Sequence, residues 1–126
     1  MCDRLNGSGR SWERTGFDLT QGDSIDYLLA LAEIAHGMGL QIGQKNTPDI
    51  TGQVIAQMDF AITEDAFADL WWDRMIAYPD AGKPVFAAEY TLPRAGRAEA
   101  CALARDWGFS IVFKDEALTA GHETCD

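Results

Sequence analysis

The chain has 126 residues, 47 % of them hydrophobic, which suits one core and leaves nothing for a second. A formal net charge of -10 repels polyanions, so nucleic acid and anionic membrane surfaces are poor partners, and a neutral or cationic ligand fits better. No stretch holds the roughly 18 to 20 uninterrupted apolar residues of a membrane span, and the polar start MCDRLNGSGRSWERTG has no apolar centre for a secretory signal.

Residues 1–22 read as a polar loop. From Ser24 to His36 the apolar residues Ile25, Leu28, Leu29, Ala32 and Ala35 recur at helical spacing, with Asp23 or Ser24 placed to cap the start. Gly37 and Gly39 close that helix, and Leu40–Gly43 reads as a short buried strand. Thr47 before Pro48 predicts a second capped helix, with Ile50, Val54, Ile55 and Met58 on its buried stripe. Asp59–Thr63 follows as a strand. Phe67, Leu70, Trp71, Met75 and Ile76 predict a third helix, ended by the turn residues of Tyr78–Lys83, and Val85–Ala88 is a strand behind Pro84. A fourth helix carries Ala98, Cys101, Ala102 and Trp107, is closed by Gly108, and leads into the strand Phe109–Phe113. Residues 119–126 read as a tail.

Strands alternating with helices imply a parallel sheet, and strands that are apolar nearly throughout imply cover on both faces or a filled barrel interior. Each strand ends in polar residues: Lys45 and Asn46, Glu64 and Asp65, Glu89 and Tyr90, Lys114 and Asp115. In barrels of eight strand-helix units that end is where sites are built, because the strand tips aim at a common centre. A full barrel takes about 250 residues. The expected fold is therefore α/β, with parallel (β/α) units, about four strands and four helices, forming the C-terminal half of a TIM barrel whose N-terminal half is absent. A small open sheet of the flavodoxin type also suits the length, but such folds usually begin with a hydrophobic strand, and this chain begins with a polar loop.

The segments AHGMGL, GLQIGQKN, DFAITEDAF, GKPVFAAEY and IVFKDEAL, in register across residues 16 to 118, resemble the glycoside hydrolase family 114 domain. That family consists of barrels acting as endo-alpha-1,4-polygalactosaminidases. The resemblance implies a hydrolase of galactosamine-containing polysaccharide, no cofactor, and a secreted or extracytoplasmic location. The family's Glu-Pro-Asp-Asn at the fourth strand tip aligns with MCDRLNG, so that Asp3 and Glu64 match its two catalytic carboxylates. Glycoside hydrolysis needs such a pair: one protonates the leaving oxygen while the other attacks the anomeric carbon or activates water. The sequence departs from the family at Thr63 for asparagine, Asp65 for glutamine, Arg4 for asparagine, and Ala66 and Trp72 for two cysteines. Cys101 and Cys125 sit where later family cysteines sit, a possible disulfide in an oxidising compartment.

Several residues carry two readings. Glu64 is a strand-tip carboxylate or a helix cap. Lys45, Asn46, Asp65, Glu89, Tyr90 and Lys114 are candidate substrate-binding residues, although Asn46 also suits a turn and Lys114 an ion pair with Asp115. His36, in the last turn of a helix, is favoured there by the helix dipole. Trp71 falls on the buried stripe, whereas Trp72 either stacks on a sugar or covers the barrel flank. Three cysteines, Cys2, Cys101 and Cys125, lack the spacing of a zinc knuckle, so no metal site is expected. The alternatives to a hydrolase are a non-catalytic half-barrel that binds sugar or associates with itself through open sheet edges, and a receiver-like domain. The last lacks the acidic first strand that such a fold uses for its metal.

Overall fold

The computed structural model describes residues 16–125. Asp3, with Cys2 and Arg4, lies outside them.

Helix α1 spans Gln21–Gly37 and starts one turn earlier than the apolar stripe suggests. Thr20 is its cap: the Thr20 hydroxyl accepts from the Asp23 amide at 3.2 Å while the Asp23 carboxylate accepts from the Thr20 amide at 2.7 Å. This reciprocal pairing satisfies two donors that the first turn would otherwise leave open. Ala32 is buried and Ile25, Leu28 and Leu29 pack on the core, as the spacing requires. In the last turn His36 Nε2 lies 2.9 Å from the Asp59 carboxylate, which also accepts from the Ile42 amide.

The first strand, β1, is Gly43–Lys45 rather than Leu40–Gly43. Leu40 is exposed, and the Ile42 amide is taken by Asp59, so sheet pairing begins only where Gly43 meets Phe60 of β2 (Phe60–Glu64). β3 is Val85–Glu89 and β4 is Phe109–Phe113. The four run parallel in sequence order. A fifth short strand, β5 (Glu123–Thr124), pairs antiparallel with Val112 and Phe113. It lies in the segment expected as a tail. A Cys101–Cys125 disulfide and ion pairs from Arg94 and Arg97 to Glu123 hold it there, and none of these is a local sequence signal.

Helices two and three are shorter than their stripes predict. The second is a 3-10 turn at Pro48–Ile50 followed by α2, Thr51–Val54. Ile50, Val54 and Met58 are buried as expected, but Thr47 makes no capping bond and sits in the left-handed region at φ 51°. The Lys83 ammonium ends the segment by donating to the carbonyls of Ile55 and Met58, both at 2.6 Å. In place of a third helix from Phe67, the chain turns at Leu70 (φ 58°), which is 80 % exposed instead of buried. A 3-10 turn at Trp72–Met75 then leads into α3, Ala77–Asp80, inside the stretch expected as a turn. The Glu89 carboxylate accepts from the Phe67 and Ala68 amides as a cap would, but only one turn closes (Asp69 amide to Asp65 carbonyl, 2.9 Å) before left-handed Leu70 ends it and the Trp71 and Trp72 amides return to the Ala66 carbonyl at 2.9 and 3.2 Å. Helix α4, Arg94–Trp107, is present and is closed by Gly108 at φ 74°. Its buried face is Ala100 and Ala104, with Cys101 and Leu103 beside them; Ala98, Ala102 and Trp107 point outward. Alanine lies on nearly every face of this helix, so spacing alone does not choose the stripe.

Among the described residues the sheet is covered on one face only. Gln44, Ala61, Thr63, Val85, Ala87, Glu89, Phe109, Ile111 and Phe113 alternate onto the helix side and are buried. Their neighbours Lys45, Phe60, Ile62, Glu64, Phe86, Ala88, Ser110 and Val112 share the opposite, open face, where Phe86 is 47 % exposed. On that face Phe60 meets Phe86 edge-on at 6.1 Å and lies across Gly43, where a Cβ would come within 2.2 Å of the ring.

On the helix side Trp72 stacks on Phe67 (5.6 Å, 5° between planes) and packs against Trp107 and Phe109. Its position is cover for the barrel flank. Ala66 is fully buried, and the Trp72 amide donates to its carbonyl at 3.2 Å. That backbone hydrogen bond joins the two positions where the family resemblance puts cysteines. The hydroxyl of Thr63, on the same side, is buried without a hydrogen-bond partner.

Candidate functional site

The polar cluster sits at the C-terminal ends of β1, β2 and β3, centred on Glu64. As the last residue of β2, Glu64 alternates onto the open face of the sheet, where its side chain keeps 29 % of its surface exposed. The Lys45 ammonium lies 3.1 Å from Glu64 Oε2. The Asn46 side-chain amide donates to the same oxygen at 3.0 Å, and its carbonyl oxygen accepts from the Glu64 backbone amide at 2.8 Å. The Tyr90 hydroxyl donates to Glu64 Oε1 at 3.2 Å.

Asn46 reaches both ends of Glu64 because its backbone is left-handed (φ 54°), a conformation asparagine tolerates better than most residues. Gln44 holds that backbone from beneath. Its side-chain nitrogen donates to the carbonyls of Asn46 (2.9 Å) and Thr47 (3.0 Å), while its oxygen accepts from the buried Tyr78 hydroxyl at 2.8 Å. Gln44 was not legible as a site residue, although a glutamine inside a short strand is the kind of residue that, once buried, must be fully hydrogen-bonded.

Burial alone would raise the Glu64 carboxyl. The Lys45 ammonium and the Asn46 and Tyr90 hydrogen bonds outweigh it and hold the group below the ordinary carboxylate value, so Glu64 is ionised at neutral pH. Burial, together with the charge on Glu64, pushes the Tyr90 hydroxyl upward, which keeps it a donor.

Of the residues expected to gather, Lys45, Asn46, Glu64 and Tyr90 come together. Three others do not join them on the open face. Glu89 points to the helix side and is 1 % exposed; its two oxygens accept from the amides of Phe67 and Ala68, each at 3.0 Å. Burial drives its carboxyl up to about 7, against the pull of those amides and with a further push from Asp65. Asp65, at φ 53°, turns its carboxylate across to β3 and accepts from the amides of Tyr90 (2.7 Å) and Thr91 (2.9 Å). The Lys114 ammonium donates to the carbonyls of Thr119 and Gly121, and the Asp115 carboxylate accepts from the Thr119 amide at 3.1 Å. These bonds tie down the segment leading to β5. Among the described residues no group of three His, Cys, Asp or Glu side chains is arranged to hold a metal ion.

No curated protein matches the chain. The crystal structure of Ega3 from Aspergillus fumigatus in complex with galactosamine superposes with a TM-score of 0.80 at 34 % sequence identity, covering 89 % of this chain and 49 % of that one. The chain therefore spans about half the length of this solved relative. The family model for glycoside-hydrolase family GH114 matches residues 3–126, end to end with the strand-tip cluster inside it. With four parallel strands in barrel order and the polar tips on one end, the chain belongs to glycoside-hydrolase family GH114.

Proposed function

We propose that the chain carries the working end of a glycoside hydrolase that cleaves alpha-1,4-linked galactosamine-containing polysaccharide, with Glu64 as one of its two carboxylates. The observation that carries this reading is the ionised Glu64 on the open face of the strand tips, held by Lys45, Asn46 and Tyr90. A carboxylate kept charged at neutral pH is suited to attack the anomeric carbon or to take a proton from water. The proton for the leaving oxygen then falls to the second carboxylate. Family resemblance gives Asp3 as the other member of the pair, outside the described residues, without dividing the two roles between them. Membership in the family and the galactosamine bound to the solved relative support the substrate class. A net charge of -10 would draw in a partly deacetylated, cationic chain.

Lys45, Asn46 and Tyr90 line the open side of Glu64 and are the groups placed to meet a sugar hydroxyl. The Cys101–Cys125 disulfide supports an oxidising, extracytoplasmic location. The experiment is Glu64→Gln in the full-length barrel, assayed by release of oligosaccharides from partly deacetylated polygalactosamine. The variant is expected to lose nearly all turnover; wild-type cleavage by it would remove Glu64 from the mechanism.

A second reading is favoured by the surface. The open sheet face presents Phe86 beside Phe60 and Ile62, and Tyr27, Ile34 and Met38 form an exposed apolar row on α1. Such a chain on its own would be a non-catalytic half-barrel that associates through these faces. Sedimentation of the isolated 126-residue chain decides this: a monodisperse monomer at micromolar concentration counts against it.

A further inference from the structure

Two adjacent strand tips each end in a pair of neighbouring residues with divided roles. On β2, Glu64 faces the open side and Asp65 reaches across to β3. On β3, Glu89 reaches back toward β2 from the helix side, and Tyr90 returns to the open side. Asp65 Oδ1 accepts from the amides of Tyr90 and Thr91, at 2.7 and 2.9 Å. Glu89 accepts from those of Phe67 and Ala68, both at 3.0 Å. Each carboxylate thus binds backbone belonging to the other strand's tip. Four amide hydrogen bonds shared between two carboxyl groups make a stiff connection.

We propose that Asp65 and Glu89 are positioning residues that lock the two strand tips in register by this exchange, and that the lock is what holds the Tyr90 hydroxyl on Glu64. Its consequence for catalysis rests on Glu64 being the working carboxylate; the geometry itself does not. The Tyr90 to Glu64 bond, at 3.2 Å, is at the long limit for an oxygen donor and acceptor, so a movement of a few tenths of an ångström in the Tyr90 backbone breaks it. Asp65 grips that backbone directly.

The test reads Glu64 itself, without substrate, by following its carboxyl carbon through a pH titration by NMR. Asp65→Gly and Asp65→Asn both remove the Asp65 charge and both suit a left-handed backbone, but only asparagine keeps an oxygen for the Tyr90 and Thr91 amides. Glu64 is expected to titrate higher in the glycine variant than in the asparagine variant. Tyr90→Phe is expected to raise it by a similar amount over wild type, and adding Tyr90→Phe to Asp65→Gly is expected to add nothing. Should Asp65→Gly fail to fold, Glu89→Gln serves in its place, again with and without Tyr90→Phe. Equal titration of Glu64 in the glycine and asparagine variants, no effect of Tyr90→Phe, or full additivity of the two changes would each overturn the proposal. Because no turnover is measured, this result stands apart from the Glu64→Gln assay.

Discussion

Glu89 makes the stability of this chain depend on pH in a direction opposite to that of most carboxylates. Its carboxyl stands at about 7 in the folded chain against 4.5 for the free group, because burial outweighs the amide bonds of Phe67 and Ala68. The folded state therefore binds the proton more tightly than the unfolded state. The resulting stability is fully present below about pH 4.5 and is lost as pH climbs through about 7. The gap between 4.5 and about 7, at 1.36 kcal/mol per pH unit, comes to about 3 kcal/mol. Glu89→Gln cannot titrate, so the difference in unfolding free energy between wild type and this variant isolates the effect from every other carboxylate. Urea denaturation at steps from about pH 4 to pH 8 is the assay. Wild type should weaken relative to the variant by on the order of 3 kcal/mol across that range. A difference that stays flat, or that moves in favour of wild type as pH rises, would mean that the amides hold Glu89 charged and that the burial argument is wrong.

Two further outcomes follow from packing and covalent constraint. Gly43→Ala puts a methyl group 2.2 Å from the Phe60 ring, an overlap that should cost about 1–3 kcal/mol, and adding Phe60→Ala should relieve most of the clash. A double-mutant cycle by urea unfolding checks it, and simple additivity of the two costs would count against the contact. Reducing Cys101–Cys125, which closes a separation of 24 residues, should lower stability by about 3 kcal/mol on the chain-entropy view. It should also speed amide exchange at Val112 and Phe113, where β5 pairs; an unchanged exchange rate would show that the ion pairs to Glu123 suffice to hold that strand.

The alternation of strands and helices was legible because each buried stretch is punctuated by glycine, proline or a capping residue. Val85–Glu89 and Phe109–Phe113 are found where their apolar runs put them, α1 matches its expected length within a turn, and α4 closes at Gly108 as expected. The segment from Phe67 to Ile76 has the apolar spacing of a helix, but its first turn ends at left-handed Leu70, where the Trp71 and Trp72 amides return to the Ala66 carbonyl. Nothing in that spacing reveals the break, because leucine is not a residue that marks a left-handed turn. β5 escaped for a different reason: two polar residues form a strand only because a disulfide and two arginines bring them to the edge of β4.

The site divides along the same line. That polar residues cluster at one end of every strand follows from sequence alone, since parallel strands must deliver their C-terminal residues to a common end. Which of each neighbouring pair faces the site does not follow, because the pleat sends successive side chains to opposite faces and one residue of register exchanges them. Glu64 and Tyr90 fall on the open face; Glu89, with the same chemistry as Glu64, falls on the helix side and becomes part of the frame. Composition and spacing determined that carboxylates would stand at these tips. Only the tertiary structure decided that one remains open to a ligand while the other is buried against backbone amides, because that choice is set by strand register and by the partners each face meets.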